Sequence, residues 1–161
     1  MSYTTCAEIE LRLAGWFSSR VNLIVPNVSF GFTWHECDLL IMSKSGYLTE
    51  VEIKVSTSDL KKDLLKRHGH KDDRIKYLYF AIPKKLEKHI EYIPERAGII
   101  VIDKKGGVHK LRKPIRNKMA KPMSVEEMYK IARLGALRIW SLKRKILEMK
   151  SKLKEGCDKN E

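Results

Sequence analysis

Two strand-like runs joined by a very short loop constrain the fold of this chain more than any other feature. Residues 36–42 and 47–55 are rich in apolar and β-branched side chains, and Ser43-Lys44-Ser45-Gly46 separates them. Gly46 can adopt the positive φ that a tight hairpin demands. The pattern therefore predicts an antiparallel hairpin inside a β-sheet.

The length of the turn decides which side chains of the hairpin share a face. If the loop comprises residues 44–46, Ser43 pairs with Tyr47, and counting back places Asp38 directly opposite Glu52. A loop one residue longer would put these two carboxylates on opposite faces of the sheet. The juxtaposition of Asp38 and Glu52 therefore depends on one turn.

Strict alternation in the second strand predicts two different faces. Val51, Ile53 and Val55 are expected to face the core, and Glu50, Glu52 and Lys54 to face the other way. Glu52 and Lys54 should therefore lie side by side on one face.

The pair of opposed carboxylates predicts a metal site. Carboxylates directly across a ladder repel each other by on the order of several tenths of a kcal/mol, and a divalent cation between them would remove that penalty. Mg²⁺ prefers such hard oxygen ligands, and one or two carboxylates plus waters and phosphate oxygens complete its usual coordination. Lys54 could orient a water molecule and offset phosphate charge, which makes the group suitable for phosphodiester hydrolysis.

Helical and strand periods alternate around the hairpin. This order predicts an α/β fold in which helices flank a central mixed β-sheet. The predicted elements are a helix capped by the box Thr5–Glu8 and running to about Ser19, a strand at 22–25 stopped by Pro26, a helix capped by Ser58 with Leu60, Leu64 and Leu65 on one side, strands at 77–82 and 98–103, and a short helix at 85–90.

The C-terminal third is strongly basic. Residues 104–121 contain eight Lys or Arg and no acidic residue, which predicts an exposed arm without regular structure. A capping box at Ser124–Glu127 then begins one long helix or two shorter ones, passing through Trp140 and Ile146 toward Leu153. The apolar side of this helix is expected to pack on the domain or on a second copy, so a homodimer is a further prediction.

Charge points to nucleic acid as the partner. Lys and Arg number 33 against 20 Asp and Glu, so the formal net charge is +13. The residues expected to contact nucleic acid are Ser56, Lys61 and Lys62 after the second strand, and Arg112, Lys113, Arg116 and Lys118 in the arm. Three widely spaced cysteines favour reduced thiols, and the absence of a signal peptide or apolar span predicts a cytoplasmic protein with no membrane association.

These residues resemble the PD-(D/E)XK nuclease superfamily. Asp38 matches the aspartate of that motif and Glu52-Ile53-Lys54 matches its Glu-x-Lys, although Cys37 stands where proline often precedes the aspartate. The order of elements over residues 4–103 resembles the superfamily's restriction-endonuclease-like core, and residues 36–54 resemble its small single-domain phage and bacterial members. The resemblance implies a nuclease-like core with its basic arm in residues 1–123 and a C-terminal helical extension of the same domain in residues 124–161.

The resemblance also implies a Mg²⁺- or Mn²⁺-dependent deoxyribonuclease, without an organic cofactor, acting in DNA repair, recombination or phage DNA processing. Asp38, Glu52 and the main-chain carbonyl of Ile53 would bind the metal, and Lys54 would be the catalytic lysine. An acidic residue of the first helix often joins them. Glu8 is the first candidate, although the capping box alone explains it, and Glu10 is the second. The alternative function is a non-catalytic nucleic-acid-binding module that retains the nuclease fold.

Overall fold

The computed structural model describes residues 5–28, 36–64 and 73–157. They form a mixed β-sheet with helices on its faces and a C-terminal helix, as the sequence predicts, and the sheet has six strands rather than the five predicted. The elements are α1 (Cys6–Trp16), β1 (Leu23–Val28), β2 (Cys37–Met42), β3 (Leu48–Ile53), α2 (Thr57–Leu64), β4 (Ile75–Pro83), a 3₁₀ helix (Lys84–Tyr92), β5 (Gly98–Ile102), β6 (Val108–Arg112) and α3 (Val125–Cys157).

The strands follow their chain order across the sheet, from β1 at one edge to β6 at the other. The first three strands form an antiparallel meander, β3, β4 and β5 run parallel, and β6 is antiparallel to β5. Parallel neighbours require a connection that crosses over the sheet. In this chain α2 and the 3₁₀ helix are those connections, and α2 is thereby brought beside the end of β3.

The β2–β3 hairpin has the predicted register. Leu39 pairs with Val51 and Met42 with Leu48, and the Ser43 amide donates to the Tyr47 carbonyl at 3.0 Å. Gly46 has the expected positive φ of 79°. The predicted turn length and the register back to Leu39 and Val51 are therefore confirmed, and the juxtaposition of Asp38 and Glu52, one residue further, stays a prediction.

Both faces of the sheet are buried. On one face Leu39 and Val51 pack against Ile9 of α1. The other face carries two apolar clusters, one under α3 that includes Leu48, and one under α2 and the 3₁₀ helix that includes Phe80. The predicted alternation in β3 is therefore correct, but the face that carries its charged residues is also interior.

Glu50 and Glu52 lie where these two clusters meet. Glu50 pairs with Leu40 of the first cluster on one side and with Leu78 of the second on the other, and Glu52 pairs with Phe80. The exposed fractions are 0% for Glu50 and 2% for Glu52. Because ionised carboxylates are costly to bury, their retention at this junction indicates a specific role or specific partners.

Several predicted element ends are wrong for identifiable reasons. Pro26 lies inside β1 rather than ending it, because β1 is an edge strand and needs no second set of ladder hydrogen bonds there. The cap of α2 is Ser56, whose hydroxyl accepts from the Asp59 amide at 3.1 Å, so Ser58 lies within the helix. The first helix ends at Trp16 instead of about Ser19. Leu65, assigned to the second helix, lies outside the described residues.

The basic arm is ordered in part, which corrects the prediction of no regular structure. Val108–Arg112 forms the edge strand β6, and the following chain is tied to the sheet by the amides of Ile115 and Asn117, which donate to Arg96 and Lys76 carbonyls at 2.9 Å each. Lysine-rich sequence is a common protection of an edge strand, so it does not exclude one. Residues 104–121 include no buried side chain, which confirms that the arm is exposed.

The C-terminal segment forms one helix of 33 residues. The amide of Met123, just before α3, donates to the carbonyl of Gly46 at 3.0 Å and so ties the start of this helix to the hairpin turn. Over the described ranges, no helix combines the length and the apolar character needed to cross a membrane.

Candidate active site

Asp38 lies where the β2–β3 hairpin opens. Hydrogen-bonded pairs recur at every second position of an antiparallel ladder, so the pairing of Ser43 with Tyr47 would make Cys37 the partner of Ile53. The Ile53 amide donates instead to Oδ2 of Asp38 at 2.7 Å. The Asp38 carboxylate therefore takes the place of a strand partner and is held against the backbone of β3.

Lys54 joins β3 to α2 through a buried ion-pair network. Its Nζ lies 2.6 Å from Oε2 of Glu52 and 3.0 Å from Oδ1 of Asp63. The exposed fractions of Glu52, Lys54 and Asp63 are 2%, 8% and 5%. Losing one member of such a buried network is costly, because it leaves an uncompensated charge in the interior.

Asp63 is a site residue that the sequence analysis missed. It lies on α2 three residues after Leu60, which is fully buried, and therefore on the inward side of that helix. The sequence did contain an indication of this role, because Asp63 is an acidic residue on the apolar side of an amphipathic helix. Its position there is explained by Lys54, which comes from the preceding strand.

Electrostatics keep Lys54 protonated. Burial alone lowers its pKa, but the charges and hydrogen bonds of Glu52 and Asp63 outweigh burial and raise the pKa above its ordinary value. The ammonium group also lies 5.9 Å from the centroid of the Phe80 ring. Lys54 can therefore supply a fixed positive charge and hydrogen-bond donors, but it is not poised as a base.

The first helix presents Glu10, rather than Glu8, toward Asp38. Burial and then the Asp38 charge raise the pKa of Glu10. The carboxylate of Glu8 accepts from the Thr5 amide at 2.7 Å, and this hydrogen bond lowers the pKa of Glu8. The structure thus favours Glu10 as the helical acid near the site and leaves Glu8 with the capping role that the sequence also allowed.

The carboxylates of Asp38 and Glu52 are suitable ligands for a hard divalent cation that takes few of its ligands from the protein. Asp38 of β2 and Glu52 of β3 offer carboxylate oxygens from one hairpin, and Mg²⁺ commonly uses one or two carboxylates while keeping several waters. In the described ranges, no three His, Cys, Asp or Glu side chains are grouped as they would be around a fully protein-coordinated metal ion. Carboxylate oxygens are ligands that Mg²⁺ and Mn²⁺ prefer, whereas structural zinc is usually held by Cys and His.

Arg138 of α3 lines the same cavity as Asp38. This cavity of about 170 Å³ is also bordered by Asn27 and Glu36. The Arg138 guanidinium donates to the Asn27 carbonyl, which holds it at the cavity wall. Sequence reasoning had no signal for Arg138, because its proximity to Asp38 arises only when α3 packs on β1.

The predicted phosphate-contacting residues divide into two groups. Ser56 caps α2, and the Arg112 guanidinium donates to the carbonyls of Ala97 at 2.8 Å and Pro94 at 2.7 Å, so both residues serve the fold. The other five residues, four lysines and one arginine, are all exposed. They are Lys61 and Lys62 on α2, beside Asp63, and Lys113, Arg116 and Lys118 beyond β6.

Comparisons with known proteins agree with this fold and add a family. A family model described as DNA repair protein MmcB-like matches residues 17–146, more than half of the chain. Among solved structures, the SPO1766 protein of unknown function from Silicibacter pomeroyi is similar, with 12% sequence identity, a TM-score of 0.62, and coverage of 93% of this chain and 94% of that one. At this identity the likeness shows the fold alone. A comparison with curated proteins finds no match.

Proposed function

The chain belongs to the MmcB-like family of DNA repair proteins, and from this premise we propose that it is a Mg²⁺- or Mn²⁺-dependent deoxyribonuclease of PD-(D/E)XK type. The observation that carries the proposal is the register of the β2–β3 hairpin, which, continued one residue past Leu39 and Val51, would set Asp38 opposite Glu52 beside the buried Lys54. A family name that refers to DNA repair supports DNA as the substrate. The net charge of +13 supports a polyanionic partner independently.

Each residue of the site has a separate task in this proposal. Asp38, Glu52 and the main-chain carbonyl of Ile53 would hold the cation, and the Ile53 amide keeps the Asp38 carboxylate in place. When bound, the cation would lower the pKa of a water molecule and neutralise charge on the phosphate. Lys54, held protonated by Glu52 and Asp63, would offset the negative charge that develops at phosphorus.

Burial would strengthen the electrostatic action of this site on a phosphodiester. Glu52 and Lys54 are buried near the junction of the two apolar clusters, and electrostatic interactions are stronger in such surroundings than in bulk water. Asp38 lies at the end of β2 where the hairpin opens, in a cavity that Arg138 also lines. A scissile phosphate entering this cavity would therefore meet Asp38 and Arg138.

Affinity for DNA should depend on Arg116 and not on Arg112. Arg116→Gln removes an exposed charge, so we expect weaker binding to any DNA sequence. The slope of the logarithm of the binding constant against the logarithm of salt concentration should decrease in magnitude by about one. Arg112→Gln removes hydrogen bonds to Ala97 and Pro94, so we expect a loss of about 1–3 kcal/mol of stability with little change in salt dependence.

Fluorescence anisotropy with labelled DNA at several salt concentrations, combined with urea denaturation, measures both effects. An equal loss of DNA affinity in folded Arg112→Gln and Arg116→Gln proteins would contradict the division between structural and DNA-facing arginines.

The proposed activity is tested by incubating the protein with single-stranded, duplex, flapped and branched DNA in Mg²⁺, Mn²⁺ or EDTA. We expect cleavage of at least one substrate with either metal and none in EDTA. A double variant, Asp38→Asn with Glu52→Gln, is purified alongside to reveal contaminating nucleases. DNA that is bound but not cut under every condition would reject the nuclease and establish the non-catalytic binding module.

A further inference from the structure

The second half of α3 exposes apolar residues in a regular heptad pattern. The spacing alternates between three and four residues, which is the a/d pattern of a helix that pairs with another helix. The seam residues, with their exposed fractions, are Ile139 at 57%, Leu142 at 58%, Ile146 at 42%, Met149 at 64% and Leu153 at 71%. Isoleucine at two a positions and leucine at a d position favour a two-stranded arrangement.

Packing within the domain does not account for this seam. The residues of α3 that join the apolar core all lie in its first half, namely Met128, Ile131 and Leu134. Ile139 and Leu142 instead border a cavity of about 690 Å³ whose opposite wall includes Ile24 and Pro26 of β1. The helix is therefore anchored at its beginning and presents an apolar edge beside open space.

Lysine flanks the seam on both sides. Lys143 and Lys150 occupy the e positions and Lys145 and Lys152 the g positions, and all four are exposed. Pairing with a second copy, in either orientation, would bring lysines against lysines, and like charges at these positions oppose association. A homodimer through this seam is therefore disfavoured by charge, whereas a helix with acidic flanking residues would match it.

The width of the apolar seam favours a helix over a membrane surface. Two positions in seven form the narrow edge of a coiled coil, whereas a helix lying on a bilayer buries a broad apolar face. Lys143 and Lys150 separate the seam from the remaining apolar residues of this half, Trp140 and Leu147. The Lys143 ammonium lies 4.9 Å from the Trp140 ring centroid, so a charge covers that ring. Nucleic acid would match the lysines but leave the apolar seam exposed.

We propose that the second half of α3, residues 139–153, binds an amphipathic helix of another protein that carries acidic residues beside its apolar seam. Because this helix is already formed and anchored, pairing with it costs less conformational entropy than pairing two isolated short helices. This interaction is separate from the site at Asp38 and does not depend on nuclease activity.

A synthetic four-heptad peptide with leucine and isoleucine at a and d and glutamate at e and g is the probe. Anisotropy of the labelled peptide, titrated with the full chain, should show saturable binding that weakens with salt. The double variant Leu142→Asp, Ile146→Asp is expected to bind at least about tenfold more weakly. Leu147→Asp, an exposed apolar residue outside the seam, is the matched control and should bind like the wild type.

Charge recognition is tested with a second peptide that has lysine in place of glutamate. The wild type should not bind it, whereas the quadruple variant Lys143→Glu, Lys145→Glu, Lys150→Glu, Lys152→Glu should bind it in preference to the acidic peptide.

Three results would overturn the proposal. The first is equal binding of the acidic peptide by the wild type and the folded Leu142→Asp, Ile146→Asp protein, or no binding by either. The second is self-association in sedimentation that the same double variant abolishes. The third is seam-dependent flotation with phosphatidylglycerol vesicles while the acidic peptide fails to bind.

Discussion

Replacing Lys54 with methionine is expected to destabilise the protein by about 3–5 kcal/mol, because the buried carboxylates of Glu52 and Asp63 would lose their shared cation. Methionine approximates the length of the lysine stem, so the packing loss is small beside the electrostatic loss. Urea denaturation followed by circular dichroism measures the change in the free energy of unfolding. Lys62→Met, on the exposed side of α2, is the matched control and should change stability by about 0.5 kcal/mol or less.

The pH dependence of this effect follows from the direction of the Lys54 shift. Its folded pKa is raised above the ordinary value of 10.5, so its stabilising contribution is fully present below that value and is lost only as pH rises through the raised pKa. The difference between wild type and Lys54→Met should therefore persist from about pH 6 to about pH 9. A difference below about 1 kcal/mol at neutral pH would show that the buried carboxylates of Glu52 and Asp63 do not depend on Lys54 for charge compensation.

Glu52→Gln is expected to lower the single-turnover rate of DNA cleavage in Mg²⁺ by about a hundredfold or more, because the amide preserves shape but removes the charge that would hold the cation. Glu50→Gln is the matched control. Glu50 is equally buried and lies two residues earlier on the same face, but it pairs with Leu40 rather than reaching the end of the hairpin near Asp38. Its variant should retain the rate within a few-fold.

Circular dichroism and DNA binding must show that both glutamine variants are folded and bind substrate. Equal losses of cleavage in the two proteins would indicate a general electrostatic effect of the buried acids. Full activity in Glu52→Gln would remove Glu52 from the site.

The hairpin was predictable because its register is a local property. One turn with glycine at its last position sets Ser43 against Tyr47, and the pairs back to Leu39 and Val51 follow from it. The order of helices and strands was likewise predictable from the spacing of apolar residues and from the turn and capping residues between them. Both predictions depend on interactions between neighbours in the sequence.

Residues that meet only in the tertiary structure were not predictable in the same way. Asp63 looks like an ordinary charge on a surface helix until α2 packs beside β3 and brings it to Lys54. Arg138 reaches the Asp38 cavity because a helix near the end of the chain packs on β1. The edge strand β6 was missed because its lysines and nearby proline are also typical of a loop.

Calorimetric titration with Mn²⁺ tests most directly whether Asp38 and Glu52 share a cation. The expected result is one site in the wild type and in Glu50→Gln, with affinity at least about tenfold weaker in Asp38→Asn and in Glu52→Gln. Equal Mn²⁺ affinity in all four folded proteins would contradict the shared site. So would the absence of Mn²⁺ binding in a wild-type protein that cleaves DNA.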